Sequence, residues 1–366
     1  MAVTTIPWGD GSGDNLYLTY PSASGDQTIE VSSDANTGSD DRTINITLTA
    51  SHHGTSSAKI LTITQEGVPE AYIVFVDPTV EQICATNWGD GTGIKPSQAA
   101  QVTNSQLGTT FRNNTQITSF DELQYFTGLT QIPANAFNGC SSLLDITIPN
   151  TVTTIDNSAL GTCSALQSLT VLSTSALSIR FVGNSGDGTG TVSFFGDVTS
   201  YDGIYNYKKL IVHGNFSYAN YQSFRGEISI IKIGGNLTST VTLATQYRGI
   251  KRSGTSIEFF EVGGIITSTQ AASVIAYNAN MLAGGLLVHL GYDAVANNAL
   301  PCLPVHVSAD NTNVAKIYVG DGSSAAHDNA ILAQYTNDSG WSSYSSKLDT
   351  WYNYINDPNA NPDYIN

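Results

Sequence analysis

The sequence predicts a mainly β chain with an antiparallel β-sandwich at the N-terminus. A parallel β-solenoid follows, and C-terminal helices cap it. Two segments match at an offset of 23 residues: Ile132-Pro-Ala-Asn-Ala-Phe137-Asn-Gly-Cys140-Ser-Ser-Leu143 through Ile148, and Ile155-Asp-Asn-Ser-Ala-Leu160-Gly-Thr-Cys163-Ser-Ala-Leu166 through Val171. A repeat of this length cannot bury its own apolar face and must stack on neighbours. Short period-2 apolar runs, parted by Gly-, Asp- and Ser-rich turns, fill residues 1–68. Trp341, Tyr344, Leu348, Trp351 and Ile355 recur at helical spacing near the end of the chain.

Composition narrows the partners. Of the 366 residues only 12% are charged, and the formal net charge is −16. Binding phosphates requires a clustered Lys/Arg surface, so nucleic acid and anionic membranes are disfavoured. No run of 18 apolar residues exists, so membrane insertion is not expected. The first residues, Met1-Ala-Val-Thr-Thr-Ile-Pro-Trp8, show no basic and apolar export signal. The expectation is an extracellular protein carried on a phage virion, or a bacterial surface protein read without its signal peptide.

The strand-like runs of the first segment are Leu16–Tyr20, Thr28–Val31, Ile44–Leu48 and Ile60–Ile63. Their spacing indicates an immunoglobulin-like sandwich. Asp34-Ala-Asn36-Thr-Gly before Arg42-Thr-Ile-Asn-Ile-Thr, and the closing Leu61-Thr-Ile-Thr-Gln65-Glu-Gly67, resemble the BACON domain. That resemblance implies carbohydrate binding.

Residues 69–110 read as a connector and N-terminal cap. It holds a strand-like Tyr72–Val76, a helix near Val80–Thr86, and a loop, Asn87-Trp88-Gly-Asp90-Gly-Thr-Gly-Ile94, shaped like a shrunken EF-hand. Calcium in such a loop needs several oxygen ligands and a terminal Glu. Asp90 is its one carboxylate and Gln98 stands where the Glu belongs, so the expectation is a structural turn without metal. The string Trp-Gly-Asp-Gly-Ser/Thr-Gly also occurs at Trp8–Gly13.

The solenoid is expected over 111–322. Ile132-Pro133…Phe137-Asn-Gly-Cys140-Ser-Ser-Leu143…Ile146-Thr-Ile148-Pro149 resembles the BspA-like class of leucine-rich repeats. The resemblance implies display on a microbial surface and, in some members, adhesion. Cys140 and Cys163, in register, are expected to stack as small buried residues without a bridge. Beyond the repeats a beat persists, with apolar strands ending at Ile148, Val171, Phe195, Val212, Ile233, Val262, Leu290 and Val319. These eight strands are predicted to pair in parallel in one leucine-rich-repeat-like sheet. Helices over 325–336 and 341–355 are predicted to form a C-terminal cap, 323–366.

Chemistry is sparse. His52, His53, His213, His289, His306 and His327 show no metal-ligand spacing. There is no nucleophile elbow, and Gly183–Gly190 lacks the lysine of a phosphate loop. Glu227, Glu258, Glu261 and Asp197 are the few carboxylates a glycan-active enzyme would have in the strand region. The expectation is therefore a non-catalytic recognition protein with no cofactor and no metal. Its binding surface is predicted to be the strip of outward residues Ile211, Lys232, Glu261, His289 and Tyr318. The partner is a glycan or protein on a bacterial surface, with assembly into a virion or homo-oligomer as further contacts.

Overall fold

In a computed structural model the chain forms two compact units, Met1–Tyr72 and Ile73–Asn366. The description covers residues 2–20, 29–38, 40–52, 55–180, 186, 188–201, 207–218, 228–239, 258–268, 286–297, 300 and 314–365.

The N-terminal unit holds an antiparallel sheet of Ala2–Pro7, Asn15–Tyr20 and Glu30–Ser33, and a hairpin of Arg42–His52 with Thr55–Gln65. Period-2 alternation turns Leu16, Leu18 and Ile46 inward, where they join Trp8 in a small core. The Arg42 guanidinium lies 4.6 Å from the Trp8 ring. Its Nη1 pairs with Asp14 at 2.8 Å and Asp10 at 3.4 Å. The Trp8–Gly13 turn thus holds a cation supplied by the hairpin.

The second unit is a solenoid of two parallel sheets. Sheet A runs through Ser119–Phe120, Asp145–Ile148, Ser168–Val171, Thr191–Phe194 and Lys209–Val212. It continues through Ile230–Ile233, Phe259–Val262, Leu286–Leu290, Val314–Val319 and Leu348–Thr350. All eight expected strands are present and parallel. One is displaced by a residue: Val171 pairs with Phe194, and Phe194 with Val212. Phe194 is buried, whereas Phe195 is exposed and stacks on the His213 ring at 4.6 Å. The Phe-Phe doublet fits either register by hydrophobicity. The backbone decides, because Thr191 N–H donates to Gln167 O and starts the strand there.

Sheet B goes beyond the one-sheet expectation. Its strands are Gln131–Ile132, Thr154–Ile155, Leu177–Ile179, Val198–Tyr201, Phe216–Tyr218, Leu237–Ser239 and Ile266–Ser268. Each follows a sheet A strand along the chain. Asp197 Oδ1 accepts from Asn215 N–H at 2.7 Å, Asn215 Oδ1 from Asn236 N–H at 2.8 Å, and Asn236 Oδ1 from Ile265 N–H at 2.7 Å. This side-chain ladder satisfies turn amides that neither sheet can pair. The turns also stack closely: a Cβ at Gly235 would lie 2.8 Å from the Gly214 carbonyl carbon, and one at Gly264 2.7 Å from that of Gly235.

The sheets enclose one continuous apolar core, with Phe111, Phe120, Phe126 and Phe137 packed near its N-terminal end. Cys140 and Cys163 are buried, free and stacked; their thiols donate to Phe111 O and Phe137 O. Burial pushes the Cys140 thiol up to about 11 and Cys163 to about 12, which keeps both protonated and unreactive.

Two further expectations are corrected. Tyr72–Val76 alternates, with Ile73 and Phe75 buried, yet forms no strand; Val76 N–H donates to the Glu122 side chain instead. Residues 341–355 are not one helix. A 3₁₀ turn, Ser339–Tyr344, is followed by the tenth strand of sheet A, Leu348–Thr350, and a short helix, Trp351–Ile355. Trp341 and Tyr344 belong to the main core, while Trp351 lies elsewhere. The helix Ala325–Asn337 forms as expected. In the Asp90 loop, the carboxylate accepts from Thr92 and Gly93 N–H, and Gln98 caps Lys95 N–H. These groups close a turn ahead of the short helix Pro96–Ala99.

Candidate functional site

The strip expected on the outer face of sheet A exists as a column. Ile211 pairs with Lys232, Lys232 with Glu261, Glu261 with His289, and His289 with Tyr318. Alternation sends their neighbours Leu210, Val212, Ile231, Ile233, Phe260, Val262, Val288 and Leu290 into the core, and these five outward.

The strip is not, however, open along its length. Lys232 is 8% exposed and His289 5%, and Ile211, Glu261 and Tyr318 are half-buried. The cover is the chain's own tail. Trp351 stacks on the His289 imidazole at 3.9 Å and 13°, Tyr354 packs on Tyr318 at 4.8 Å, and Tyr364 lies flat on Phe259 at 4.7 Å and 6°. The adjacent outward column changes character to match, with Ile230, Phe259 and Leu287 as apolar seats for these rings. Asp328, fully buried, fixes where the tail begins: it accepts from Asp321, Gly322 and Tyr352 N–H. Lys208 and Asp363 add an exposed ion pair at 2.8 Å.

Beneath the tail the charges are held together. Lys232 Nζ is 4.0 Å, and His289 Nδ1 3.6 Å, from Glu261 Oε2. His289 Nε2 donates to Gly320 O at 2.8 Å. Burial lowers the Lys232 ammonium, and the carboxylate of Glu261 works against that shift. His289, expected in the outward strip, does face outward but is walled in by Trp351. His213 is exposed, and His327 pairs with Asp293 at 3.3 Å. His53, His306, Glu227, Gly183, Asn184, Ser185 and Asp187 lie outside the described residues.

The outer face nearer the N-terminal end has different chemistry. Asp145, Ser168 and Thr191 form one column, and Thr147, Thr170 and Ser193 another. Ser119 Oγ donates to Asp145 at 2.6 Å and Thr147 Oγ1 to Asp121 at 2.6 Å. Burial, with the negative neighbours Asp121 and Glu122, raises the Asp145 carboxyl despite the Ser119 hydrogen bond. None of the aromatic tail contacts described above falls on these rungs. Of the carboxylates a glycan-active enzyme would draw on, Asp197 serves the turn ladder, and Glu258 accepts from the Tyr364 hydroxyl at 3.4 Å. Among the described residues no cluster of His, Cys, Asp and Glu has the geometry to hold a metal ion.

Sequence reasoning finds the column but misses its cover, since a contact between residues 351–364 and rungs much earlier in the chain leaves no local trace. The available signal is the run of outward apolar residues Ile230, Phe259 and Leu287.

With this geometry in view, residues 107–181 match the family described as BspA type leucine-rich repeat region, in six copies. Residues 9–66 match BACON, described as a candidate N-terminal binding domain. The chain therefore carries a BACON domain followed by BspA-type repeats, modules that are typically non-catalytic and surface-associated. No helix among the described residues is long and apolar enough to cross a membrane. A search of curated proteins finds no match.

Proposed function

We propose that the chain is a non-catalytic recognition protein that works outside the cell and binds a surface glycan or protein through the outer face of sheet A. One observation supports the reading: a register-aligned face whose N-terminal rungs present Ser, Thr and Asp side chains, while the described ring contacts of the tail fall on later rungs. On this reading the contact starts at Thr147, Thr170 and Ser193 and reaches Ile211 and the accessible edges of Glu261 and Tyr318. Lys232 and His289 act from beneath, by positioning Glu261. The BspA-type repeats favour a bacterial cell surface as the carrier over a phage tail or fibre.

The test is retention of the intact chain on bacterial cells and on a glycan array, compared with a Thr170→Lys, Ser193→Lys variant. We expect the variant to lose at least tenfold in retention while unfolding at the same temperature. Unchanged retention would place the contact elsewhere.

A further inference from the structure

The sandwich contains a feature that surface recognition by the solenoid does not use. Its core closes well at the Trp8–Arg42 end, but towards the other end Ile6 and Leu48 are only half-buried. There the two sheets part around a cleft of about 790 Å³, within the range of small-molecule sites. Ile6, Leu18, Ile46 and Leu48 line it, with Ala58 and Lys59 from the second hairpin strand. Threonines and Ile29 make up the rest.

We propose that this cleft binds a medium-chain fatty acid, with the alkyl chain between the sheets and the carboxylate at Lys59. The lining decides the class. It contains neither an aromatic ring nor an acid or amide side chain, so it lacks the stacking face and directional acceptors that a sugar requires. Branched aliphatic side chains facing one another from two sheets suit an alkyl chain, whose burial is favourable in proportion to the apolar area covered. One end carries a single cation: Lys59 is exposed and makes no ion pair among the described residues. The complement is therefore an amphiphile with an apolar body and one negative end.

Isothermal titration of the intact chain with laurate, below its micelle-forming concentration, tests this. Saturable one-site binding is expected. Thr4→Trp, at an exposed rim position whose cross-strand partner Leu18 faces the cleft, should weaken it at least tenfold by blocking the entrance. Leu48→Trp should do the same by filling the floor, with circular dichroism confirming the fold. Lys59→Glu should weaken it at least fivefold, and Thr170→Lys on the solenoid should leave it unchanged. Absence of saturable binding, or equal binding by the Thr4→Trp chain, would overturn the site. Equal binding by the Lys59→Glu chain would overturn the fatty-acid assignment.

Discussion

The outer face of sheet A is two surfaces on one scaffold. At the N-terminal rungs the outward residues are Ser168, Thr170, Thr191 and Ser193; at the later rungs the same two columns carry Ile230, Lys232, Phe259, Glu261, Leu287 and His289. The backbone register is the same throughout, so strand geometry does not distinguish them. What differs is the cover: Trp351, Tyr354 and Tyr364 rest on the later rungs. A solenoid strand specifies which side chains point outward, and a distant segment decides whether outward means solvent.

The largest expected effect breaks the covered half. Trp351→Ala removes the ring that stacks on His289 and Tyr354, and should cost about 3–5 kcal/mol in urea unfolding. A loss under about 1 kcal/mol would mean the tail contributes little and the two halves are equivalent. Next, the buried charges should respond asymmetrically. Glu261→Gln strands Lys232 without its counter-charge and should cost about 1–3 kcal/mol, whereas Lys232→Met should stay within about 1 kcal/mol of the parent. Negligible losses in both variants would show that the pair is solvated.

In the N-terminal half, Thr170→Lys should change stability by less than about 0.5 kcal/mol, because Thr170 is a partly exposed outward residue and the described tail contacts fall on other rungs. The smallest effect concerns the tail's exposed ion pair. The Lys208 hydrogen bond holds the Asp363 carboxyl below its usual range. A depressed carboxylate contributes stability above its unfolded-state value, near pH 4, and loses it as pH falls through the folded value. Both partners are about half exposed, so screening limits the contribution to a few tenths of a kcal/mol. The stability difference between the parent and Lys208→Ala should accordingly shrink steadily on acidification below about pH 4. A difference that grows instead would contradict the assignment.

The parallel sheet is legible because strands such as Leu210-Ile-Val212 and Phe260-Glu-Val262 bury two residues around one outward residue, a pattern that local sequence carries. The column Ile211 to Tyr318 follows from the same alternation. The second sheet is harder to see, since its strands are at most four residues long and bury only one or two side chains each. Its trace is a repeated word: Gly196-Asp197-Val198-Thr199, Gly214-Asn215-Phe216-Ser217 and Gly235-Asn236-Leu237-Thr238. The occlusion of Lys232 and His289 has no such word, because it depends on Trp351 meeting strands that are neighbours only after the solenoid has wound.

The ladder Asp197–Asn215–Asn236 has a consequence for how such proteins change over generations. Each carboxylate or amide oxygen receives a main-chain N–H from the turn that follows it, so the junction is indifferent to which side chains the next turn of chain contains. Duplication or deletion of a whole unit reforms the same bond, while the chain between successive strands is free to lengthen. It does so here, from an offset of 18 residues between Phe194 and Val212 to 29 between Ile233 and Val262. The length of the outer face of sheet A is therefore a heritable variable, adjustable in steps of about 4.8 Å without redesign of any existing contact.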